Sequence, residues 1–237
     1  MQAVILSAGI GSRLLPLTRE IPKCLVEVGG RSILDHQLDA LHAAGIEQAV
    51  IVGGYRYRQI GAHLARARPP LPVRLLFNPF WSVASSIGSV WMARDLLDAP
   101  FCLMNGDTVF ASDLISAAVR APGEGVGLLV EPLRAAAPDD MLVTVANRQV
   151  CAVAKDLPLD VATHRSLGVI VSHGGDAYAR ALESVIAHPG GLDAFHHAII
   201  ADLATYAPVR AIVAGEGAWQ EIDQPEDIAA WAGRHGG

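Results

Sequence analysis

Several features that mark particular protein classes are scarce or missing in this sequence of 237 residues. Its three cysteines, Cys24, Cys102 and Cys151, match no zinc-binding spacing, which argues against a zinc module and predicts reduced thiols in a cytoplasmic protein. No run of lysines and arginines is present and the formal net charge is −6, so we expect no surface for nucleic acid or for an anionic membrane. No apolar run reaches the length of a membrane span, and the first residues show no basic segment or cleavage site of a secretory signal.

Apolar residues dominate what is present. Hydrophobic residues make up 51% of the chain and charged residues only 18%. This balance is typical of a globular chain that buries a sizeable core and has no long disordered tail. The length suits one large α/β domain, or one domain with a small insertion.

Short apolar runs alternate with amphipathic stretches along the first half of the chain. The alternation predicts a parallel sheet that is covered by helices on both faces. Ligands bind such sheets beyond the carboxyl ends of the strands, where "SAGIGSR" and "NGDT" occur in this sequence. The predicted strands are residues 3–8, 48–54, 73–78, 101–107 and 126–131. The predicted helices are residues 32–44, 56–67, 86–97 and 112–120.

The pattern changes after residue 131. An "NR" turn joins the apolar runs "MLVTVA" and "QVCAVA" and predicts a β-hairpin. We expect the second half to extend the same sheet and to add a lid, without forming an independent domain. Further predicted elements are a strand containing "SLGVIV", a strand "VRAIVA", and helices at 175–187, at 193–204 and from the "QPED" segment onward.

The segment "LSAGIGSRLLPLTREIPKC" combines two close glycines with an arginine and a lysine. Glycines let backbone N–H groups approach a ligand closely. Arg13 adds a planar group with several donors and Lys23 adds a mobile point charge, so the set suits phosphate oxygens. The P-loop and dinucleotide-binding patterns are both absent. The alternative is an ordinary strand-to-loop turn that carries two surface cations.

This segment and the following "LVEVGGRSILDHQLDALHAAGI" resemble the N-terminal signature of nucleotidyltransferases that make NDP-sugars and related CDP-alcohols. The shared parts are a hydrophobic strand, a glycine loop with an arginine, "PLT", "PK" and a "VG" segment that opens a helix. The resemblance continues through "NPFWSVASSIGS", "FCLMNGDTVF" and "WQEIDQPEDI". Within the family, the sequence is most similar to small cytidylyltransferases of the phosphocholine and 2-aminoethylphosphonate type. Such relatives often have asparagines where this chain has Ser85 and Ser86.

The resemblance implies a fold and a reaction. The fold is α/β, a single Rossmann-like nucleotidyltransferase (GT-A-like) domain over residues 1–237. It has a mostly parallel mixed central sheet flanked by helices and a small β-rich acceptor or lid region. Residues 1–130 would form the nucleotide-binding half, and residues 131–237 the half that binds the acceptor and supplies the second metal ligand. The reaction is Mg²⁺-dependent transfer of CMP from CTP to a small phosphorylated alcohol or phosphonate, with release of pyrophosphate.

Two aspartates match the family's metal ligands. Asp107 ends an apolar strand and Asp223 precedes a helix, and carboxylate oxygens suit the hard Mg²⁺ ion on a triphosphate. The alternative for Asp107 is a turn-forming role after Gly106, and for Asp223 it is capping of the following helix. Glu221 and Asp227 are interpreted as solvated or capping residues.

The family's nucleotide site maps onto the segment from Ala8 to Lys23 and the segment from Asn78 to Gly88. Arg13 is expected on the β- and γ-phosphates and Lys23 on the α-phosphate, both as catalytic residues. Ser85 or Ser86 can instead cap the helix predicted at 86–97. The residues expected to bind the nucleotide are Ala8, Gly9, Gly11, Ser12, Asn78, Ser85, Ser86 and Gly88.

The acceptor site is expected in the second half. Lys155 matches a family lysine that meets the acceptor phosphate or the α-phosphate and is the third predicted catalytic residue; the alternative is a surface lysine at a strand end. Asp140, with Asp139, could face a cationic head group or form a solvated turn. Trp219 could form one wall for a quaternary ammonium, although core packing is the more common fate of a tryptophan. No role is assigned to the histidines of this half, which show no metal-ligand spacing with acids.

Two other functions fit the same residues. One is a sugar 1-phosphate nucleotidyltransferase that uses UTP or dTTP, although its larger acceptors usually go with a longer chain. The other is a non-catalytic relative that binds a nucleotide to regulate a partner. Loss of a metal aspartate or of the loop lysine would mark such a relative, and neither is lost here. The expected partners are CTP or another NTP and a small phosphorylated acceptor, and a homodimer is compatible with the sequence.

Overall fold

The computed structural model describes residues 1–215 and 219–235 as layers of helices and strands. No helix within these ranges is long and apolar enough to cross a membrane. The strands are β1 (Gln2–Ser7), β2 (Glu27–Val28), β3 (Arg31–Ser32), β4 (Gln48–Gly53), β5 (Val73–Phe77), β6 (Phe101–Asn105), β7 (Thr108–Phe110), β8 (Val126–Pro132), β9 (Leu142–Ala146), β10 (Gln149–Ala154), β11 (His164–Ser172), β12 (Val209–Val213) and β13 (Trp219–Glu221). The helices are α1 (Ile33–Ala43), α2 (Tyr57–Ala67), α3 (Ser86–Met92), α4 (Ser112–Val119), α5 (Ala177–Ala187), α6 (His197–Leu203) and α7 (Pro225–His235).

A nine-stranded central sheet has the order β5-β4-β1-β6-β11-β8-β12-β10-β9. Strand β1 runs parallel to β4 and β6, and β4 runs parallel to β5. Beyond β6 the directions mix, because β11 is antiparallel to β6 and β8 while β8 and β12 are parallel. The predicted α/β fold with a mixed central sheet is therefore confirmed, and strands from both sides of residue 131 share that sheet.

Alternate residues of β1 face opposite sides of the sheet, as the strand repeat requires. Ala3 and Ile5 belong to an apolar cluster that includes side chains of α1, α2 and α4. Val4 and Leu6 belong to a second cluster, which includes side chains of α3, α5 and α6. The sheet is thus covered by helices on both faces, as the near-continuous apolar strands predict.

Two helices are shorter than their sequence pattern indicates. The helix predicted at 86–97 ends at Met92 and continues as a short 3₁₀ turn. The helix predicted at 193–204 begins only at His197, and a 3₁₀ turn precedes it. Apolar spacing alone does not separate one 3₁₀ turn from an α-helical turn. The predicted end of the first helix is therefore too late in the chain, and the predicted start of the second is too early.

The hairpin predicted around the "NR" turn is confirmed as the antiparallel pair β9–β10. Asn147 and Arg148 have φ angles of 52° and 63°. Two successive positive φ values give the turn whose twist matches that of the flanking strands. Lys155 follows β10 directly, so the hairpin fixes where this lysine enters the site.

Candidate active site

The glycine loop leaves the carboxyl end of β1 and returns through Lys23. Gly11 has a φ of +69°, and a Cβ atom at this position would lie 2.9 Å from the Cβ and Cδ atoms of Lys23. The hydroxyl of Thr18 donates to the carbonyl oxygen of Gly11 at 2.7 Å. The N–H of Tyr55 donates to the carbonyl oxygen of Ala8 at 2.9 Å. A glycine is therefore needed for the lysine side chain to pack against the loop.

Lys23 extends from this loop to two carboxylates. Its Nζ atom lies 2.9 Å from Oδ2 of Asp107 and also contacts Oδ1 of Asp223. Burial alone would lower the pKa of Lys23, but the two carboxylates raise it above its ordinary value. Burial alone would raise the pKa of Asp107, but the Lys23 ammonium holds it below its usual value. Lys23 and Asp107 are therefore both charged at neutral pH.

Asp107 reaches this position through a tight turn after β6. A Cβ atom on Gly106 would lie 2.2 Å from Oγ of Ser7 and 2.5 Å from the carbonyl oxygen of Leu6. The side-chain amide of Gln37 donates to the carbonyl oxygens of Asn105 and Thr108, at 2.7 and 2.8 Å, and so holds both sides of the turn. The missing side chain at Gly106 allows the turn to lie directly against β1.

A third carboxylate comes from the distant strand β13. This strand pairs antiparallel with β7, with Glu221 opposite Thr108, and the N–H of Ile222 donates to the carbonyl oxygen of Asp107 at 2.9 Å. Burial, and then the charges of Asp107 and Asp223, raise the pKa of Glu221 to about 8. Its interpretation as a solvated or capping residue is therefore wrong, because the pairing of β13 with β7 turns it toward the other acids.

The three acids could hold a metal ion together. One carboxylate oxygen each from Asp107, Glu221 and Asp223 lies within 4.8 Å of the others. An all-oxygen set of this kind fits a hard divalent cation such as Mg²⁺. Asp227 plays a different part, because its Oδ2 atom accepts from the N–H groups of Asp223 and Gln224 at 2.9 and 2.8 Å, which confirms a capping role.

Arg13 and Lys155 meet across the site through Asp139. A guanidinium nitrogen of Arg13 lies 2.6 Å from Oδ2 of Asp223, and another contacts Asp139. Lys155 Nζ lies 3.4 Å from the other carboxylate oxygen of Asp139. Two of the three predicted phosphate-binding cations are thus held near each other by one shared carboxylate.

A cavity of about 340 Å³ at this edge of the sheet collects most of the predicted residues. A second cavity of about 260 Å³ adjoins it at the glycine loop. Gly88 is not among the described residues that line either one; a Cβ atom there would lie 2.7 Å from that of Ala84. The first cavity is lined by the predicted residues Ala8, Gly9, Arg13, Asn78, Ser85, Ser86, Asp107, Asp140, Lys155 and Trp219. The second is lined by Gly9, Gly11, Ser12, Arg13, Lys23, Asp107 and Asp223.

At the predicted nucleotide end, several polar groups already have protein partners. Asn78 is 1% exposed, and its amide donates to Oγ of Ser89 at 3.1 Å and accepts from the N–H of Phe80 at 2.9 Å. Ser85 occupies the N-cap position of α3 without a side-chain hydrogen bond to the helix. The hydroxyl of Ser86 accepts from the N–H of His196 at 2.8 Å and so links α3 to the start of α6.

At the predicted acceptor end, Arg165 organises the polar groups. It donates to Asp140 at 3.1 Å and to Glu131 at 2.6 Å. Its guanidinium carbon lies 4.9 Å from the centre of the Trp219 ring, and the indole N–H donates to Glu131 at 3.0 Å. Asp140 and Trp219 therefore both contact the guanidinium group of Arg165.

Two histidines of the cavity wall had no signal in the sequence. His196 and His197 follow each other at the start of α6, and their ring centres lie 4.1 Å apart. Burial lowers the pKa of His196 to about 4 and that of His197 well below its ordinary value, so both rings are neutral at neutral pH. An adjacent pair of histidines has no metal-ligand spacing, and only the fold brings them to the site.

Comparison with known proteins places the chain in a family. A family model described as "Nucleotidyl transferase" matches residues 2–127. The CMP-5'-(3-aminopropyl)phosphonate synthase of Streptomyces rubellomurinus is 28% identical over 235 residues, which cover 96% of this chain and 37% of that protein. The CTP:phosphoglutamine cytidylyltransferase of Campylobacter jejuni is 53% identical over 55 residues, which cover 23% of this chain and 22% of that protein. The chain thus matches well under half the length of these two curated relatives.

A solved structure shares the fold. The CTP:phosphocholine cytidylyltransferase from Streptococcus pneumoniae superposes with a TM-score of 0.78 at 21% sequence identity. The match covers 97% of this chain and 96% of that one. At this identity the likeness concerns the arrangement of helices and strands.

Proposed function

Because the chain belongs to the nucleotidyl transferase family, we propose that it transfers CMP from CTP to a small phosphorylated alcohol or phosphonate and releases pyrophosphate. The observation that carries the proposal is the meeting of Lys23 with Asp107 and Asp223 beside the glycine loop. Two relatives are named for a CMP-phosphonate product and for transfer from CTP, which favours cytidine over other nucleosides.

The nucleotide's phosphates lie along the glycine loop in this proposal. Arg13 binds the β- and γ-phosphates, and Lys23 binds the α-phosphate and the charge that develops on it. Asp107 and Asp223 hold Mg²⁺, and we add Glu221 as a third ligand on the basis of its position. When bound, the ion neutralises charge on the triphosphate.

The acceptor supplies its own nucleophile. The second pKa of a phosphate monoester is about 6, so an acceptor phosphate is largely dianionic at neutral pH and needs no dedicated general base. An oxygen of this phosphate forms a bond to the α-phosphorus, the bond from that phosphorus to the bridging oxygen breaks, and pyrophosphate leaves with the electron pair. Lys155 holds the acceptor phosphate, and catalysis rests on positioning and charge neutralisation.

The same proposal divides the chain by role. Residues 1–130 bind the nucleotide and residues 131–237 bind the acceptor and supply Asp223, within one domain. Both substrates are small anions, and the protein acts on them in the cytoplasm without nucleic acid or membrane insertion.

A pyrophosphate-release assay with Mg²⁺ tests the proposal. CTP, UTP, dTTP, ATP and GTP are each combined with phosphocholine, 2-aminoethylphosphonate, inositol 1-phosphate, glycerol 3-phosphate and several sugar 1-phosphates. We expect release with CTP and a small phosphorylated alcohol or phosphonate, and only background release from an Asp107→Asn variant. Release with UTP or dTTP and a sugar 1-phosphate would contradict the proposed substrates, and release that is equal in the variant would contradict the proposed site.

A further inference from the structure

Two side chains that precede α2 hold the glycine loop between Arg13 and Lys23. The guanidinium of Arg56 donates to the carbonyl oxygen of Arg19, from Nη2 at 2.6 Å and from Nε at 3.1 Å. The hydroxyl of Tyr55 donates to the same oxygen at 2.9 Å. Arg19 ends a 3₁₀ turn, and carbonyl groups at such an end have no partner within the turn. Three donor groups of the neighbouring segment therefore converge on one carbonyl of the loop.

The residue before this carbonyl group shapes the part of the loop that faces the site. Thr18 is buried, and its hydroxyl donates to the carbonyl oxygen of Gly11 at 2.7 Å. Gly11 packs against the side chain of Lys23, and both residues line the cavity of about 260 Å³. Holding Arg19 in place therefore also holds Thr18 and, through its hydroxyl, Gly11.

The backbone of Arg56 favours a glycine at this position. Its φ angle is 49°, in the left-handed region that residues other than glycine adopt at a cost. Backbone of this kind points to a functional constraint on the residue. The side chain makes no capping hydrogen bond to α2. Its ion pair with Glu20, at 3.1 Å, involves a carboxylate that is 76% exposed and contributes little. The contacts that account for an arginine here are those to the Arg19 carbonyl.

We infer that Arg56 is a positioning residue for nucleotide binding, which holds the glycine loop in the conformation that receives the phosphates. Arg56 is not among the described residues that line the two cavities of the site, so it acts through Arg19 and Thr18. A guanidinium suits this task because its donors lie in one rigid plane. The inference rests on the proposed function, since it takes the triphosphate to lie along this loop.

Arg68 offers a matched control at the other end of α2. It is exposed and also has a φ angle of 49°. Glycine adopts this conformation without strain, so Arg56→Gly and Arg68→Gly each remove one arginine from the same kind of backbone. The proteins are titrated calorimetrically with α,β-methylene-CTP in the presence of Mg²⁺, because the methylene bridge prevents transfer.

We expect Arg56→Gly to bind α,β-methylene-CTP about tenfold more weakly than the wild type does, and Arg68→Gly to bind it with wild-type affinity. Arg56→Lys keeps the charge but presents a single nitrogen to the Arg19 carbonyl, and should bind it about threefold more weakly. Wild-type affinity in Arg56→Gly or in Arg56→Lys, an equal loss in Arg56→Gly and Arg68→Gly, or no binding to the wild type would overturn the inference.

Steady-state kinetics separate positioning from a purely structural role. In Arg56→Gly the KM for CTP should rise about tenfold, while kcat and the KM for the acceptor stay within about twofold of the wild type. We expect kcat to be kept because Asp107 and Asp223 hold Lys23 independently of Arg56. A residue that only stabilises the fold would change the amount of active enzyme, so a lower kcat with both KM values unchanged would overturn the inference. Absence of pyrophosphate release from the wild type with CTP and every acceptor, alongside the expected affinities, would overturn the proposed function alone.

Discussion

The ammonium nitrogen of Lys23 lies 2.9 Å from Oδ2 of Asp107 and also contacts Asp223, so one side-chain cation stands between two proposed metal ligands. A divalent cation that binds these acids must therefore compete with Lys23 for their oxygens. In the proposed mechanism, the Lys23 ammonium moves to the α-phosphate when the nucleotide binds. This movement leaves the carboxylate oxygens of Asp107 and Asp223 available to the metal ion.

Replacing Lys23 should separate metal binding from turnover. In Lys23→Met we expect Mn²⁺ to bind the nucleotide-free protein at least about tenfold more tightly, because the competing cation is gone. Turnover should fall by about two orders of magnitude or more, because the α-phosphate loses its counter-charge. Calorimetric Mn²⁺ titration and pyrophosphate release measure the two effects. Lys23→Arg is the matched control, and unchanged Mn²⁺ affinity in Lys23→Met would show that no competition exists.

Glu221 should affect the metal requirement. In Glu221→Gln we expect the Mg²⁺ concentration for half-maximal turnover to rise about tenfold, because a neutral amide replaces one of three carboxylates. Glu226→Gln makes the same substitution at an exposed position in the first turn of α7 and should leave that concentration unchanged. An equal rise of this Mg²⁺ concentration in both variants would show that Glu221 acts through long-range electrostatics and not as a metal ligand.

Replacement of two glycines of the site by alanine should affect different properties, stability at Gly106 and the KM for CTP at Gly9. Gly106→Ala should lower the free energy of unfolding by about 2 kcal/mol or more, because the added methyl group meets Ser7 and the backbone of Leu6. Gly9→Ala has open space around its Cβ and should keep the wild-type stability while it raises the KM for CTP. Urea unfolding and steady-state kinetics measure both. A normal stability of Gly106→Ala would mean that the turn can move away from β1.

His196 should make stability depend on pH. Its pKa is about 4 in the folded protein, against an ordinary value near 6.5, so the unfolded chain binds more protons between these values. The free energy of unfolding should therefore be highest above pH 6.5 and decrease as the pH falls toward 4, with His196 contributing roughly 3 kcal/mol of that loss. Urea unfolding at pH 7 and pH 5 should show a smaller decrease for His196→Gln than for the wild type. Equal decreases would assign the effect to other groups.

Local sequence pattern was enough to predict much of the fold. Strand β1 could be predicted because its continuous apolar run is what a strand buried on both faces requires. The position of Asp107 followed from the same reasoning, since it comes two residues after the end of an apolar strand, at the edge where ligands bind. The hairpin at Asn147 and Arg148 was predictable because the turn residues separate two apolar runs.

The parts that could not be predicted depend on contacts between distant segments. Glu221 differs from a surface acid only because β13 pairs with β7, a pairing that no local pattern encodes. The positions of His196 and His197 depend on the hydrogen bond from the His196 N–H to Ser86. The cation over Trp219 belongs to Arg165, on another strand, so no local pattern indicates that this ring is covered. The roles assigned to the site residues remain predictions.

The pairing of β13 with β7 has a consequence for the protein while it is being made. A chain emerging from the ribosome exposes Asp107 together with Lys23 long before Glu221 and Asp223 have been synthesised. The early segments can form the parallel strands around β1, since domains tend to fold from the N-terminus during translation. The set of three acids, Asp107, Glu221 and Asp223, is complete only after β13 and the residues that follow it have been synthesised. A chain interrupted before that strand would retain the glycine loop and only Asp107 of the three clustered acids, so tight divalent-cation binding is expected only once translation has passed Asp223.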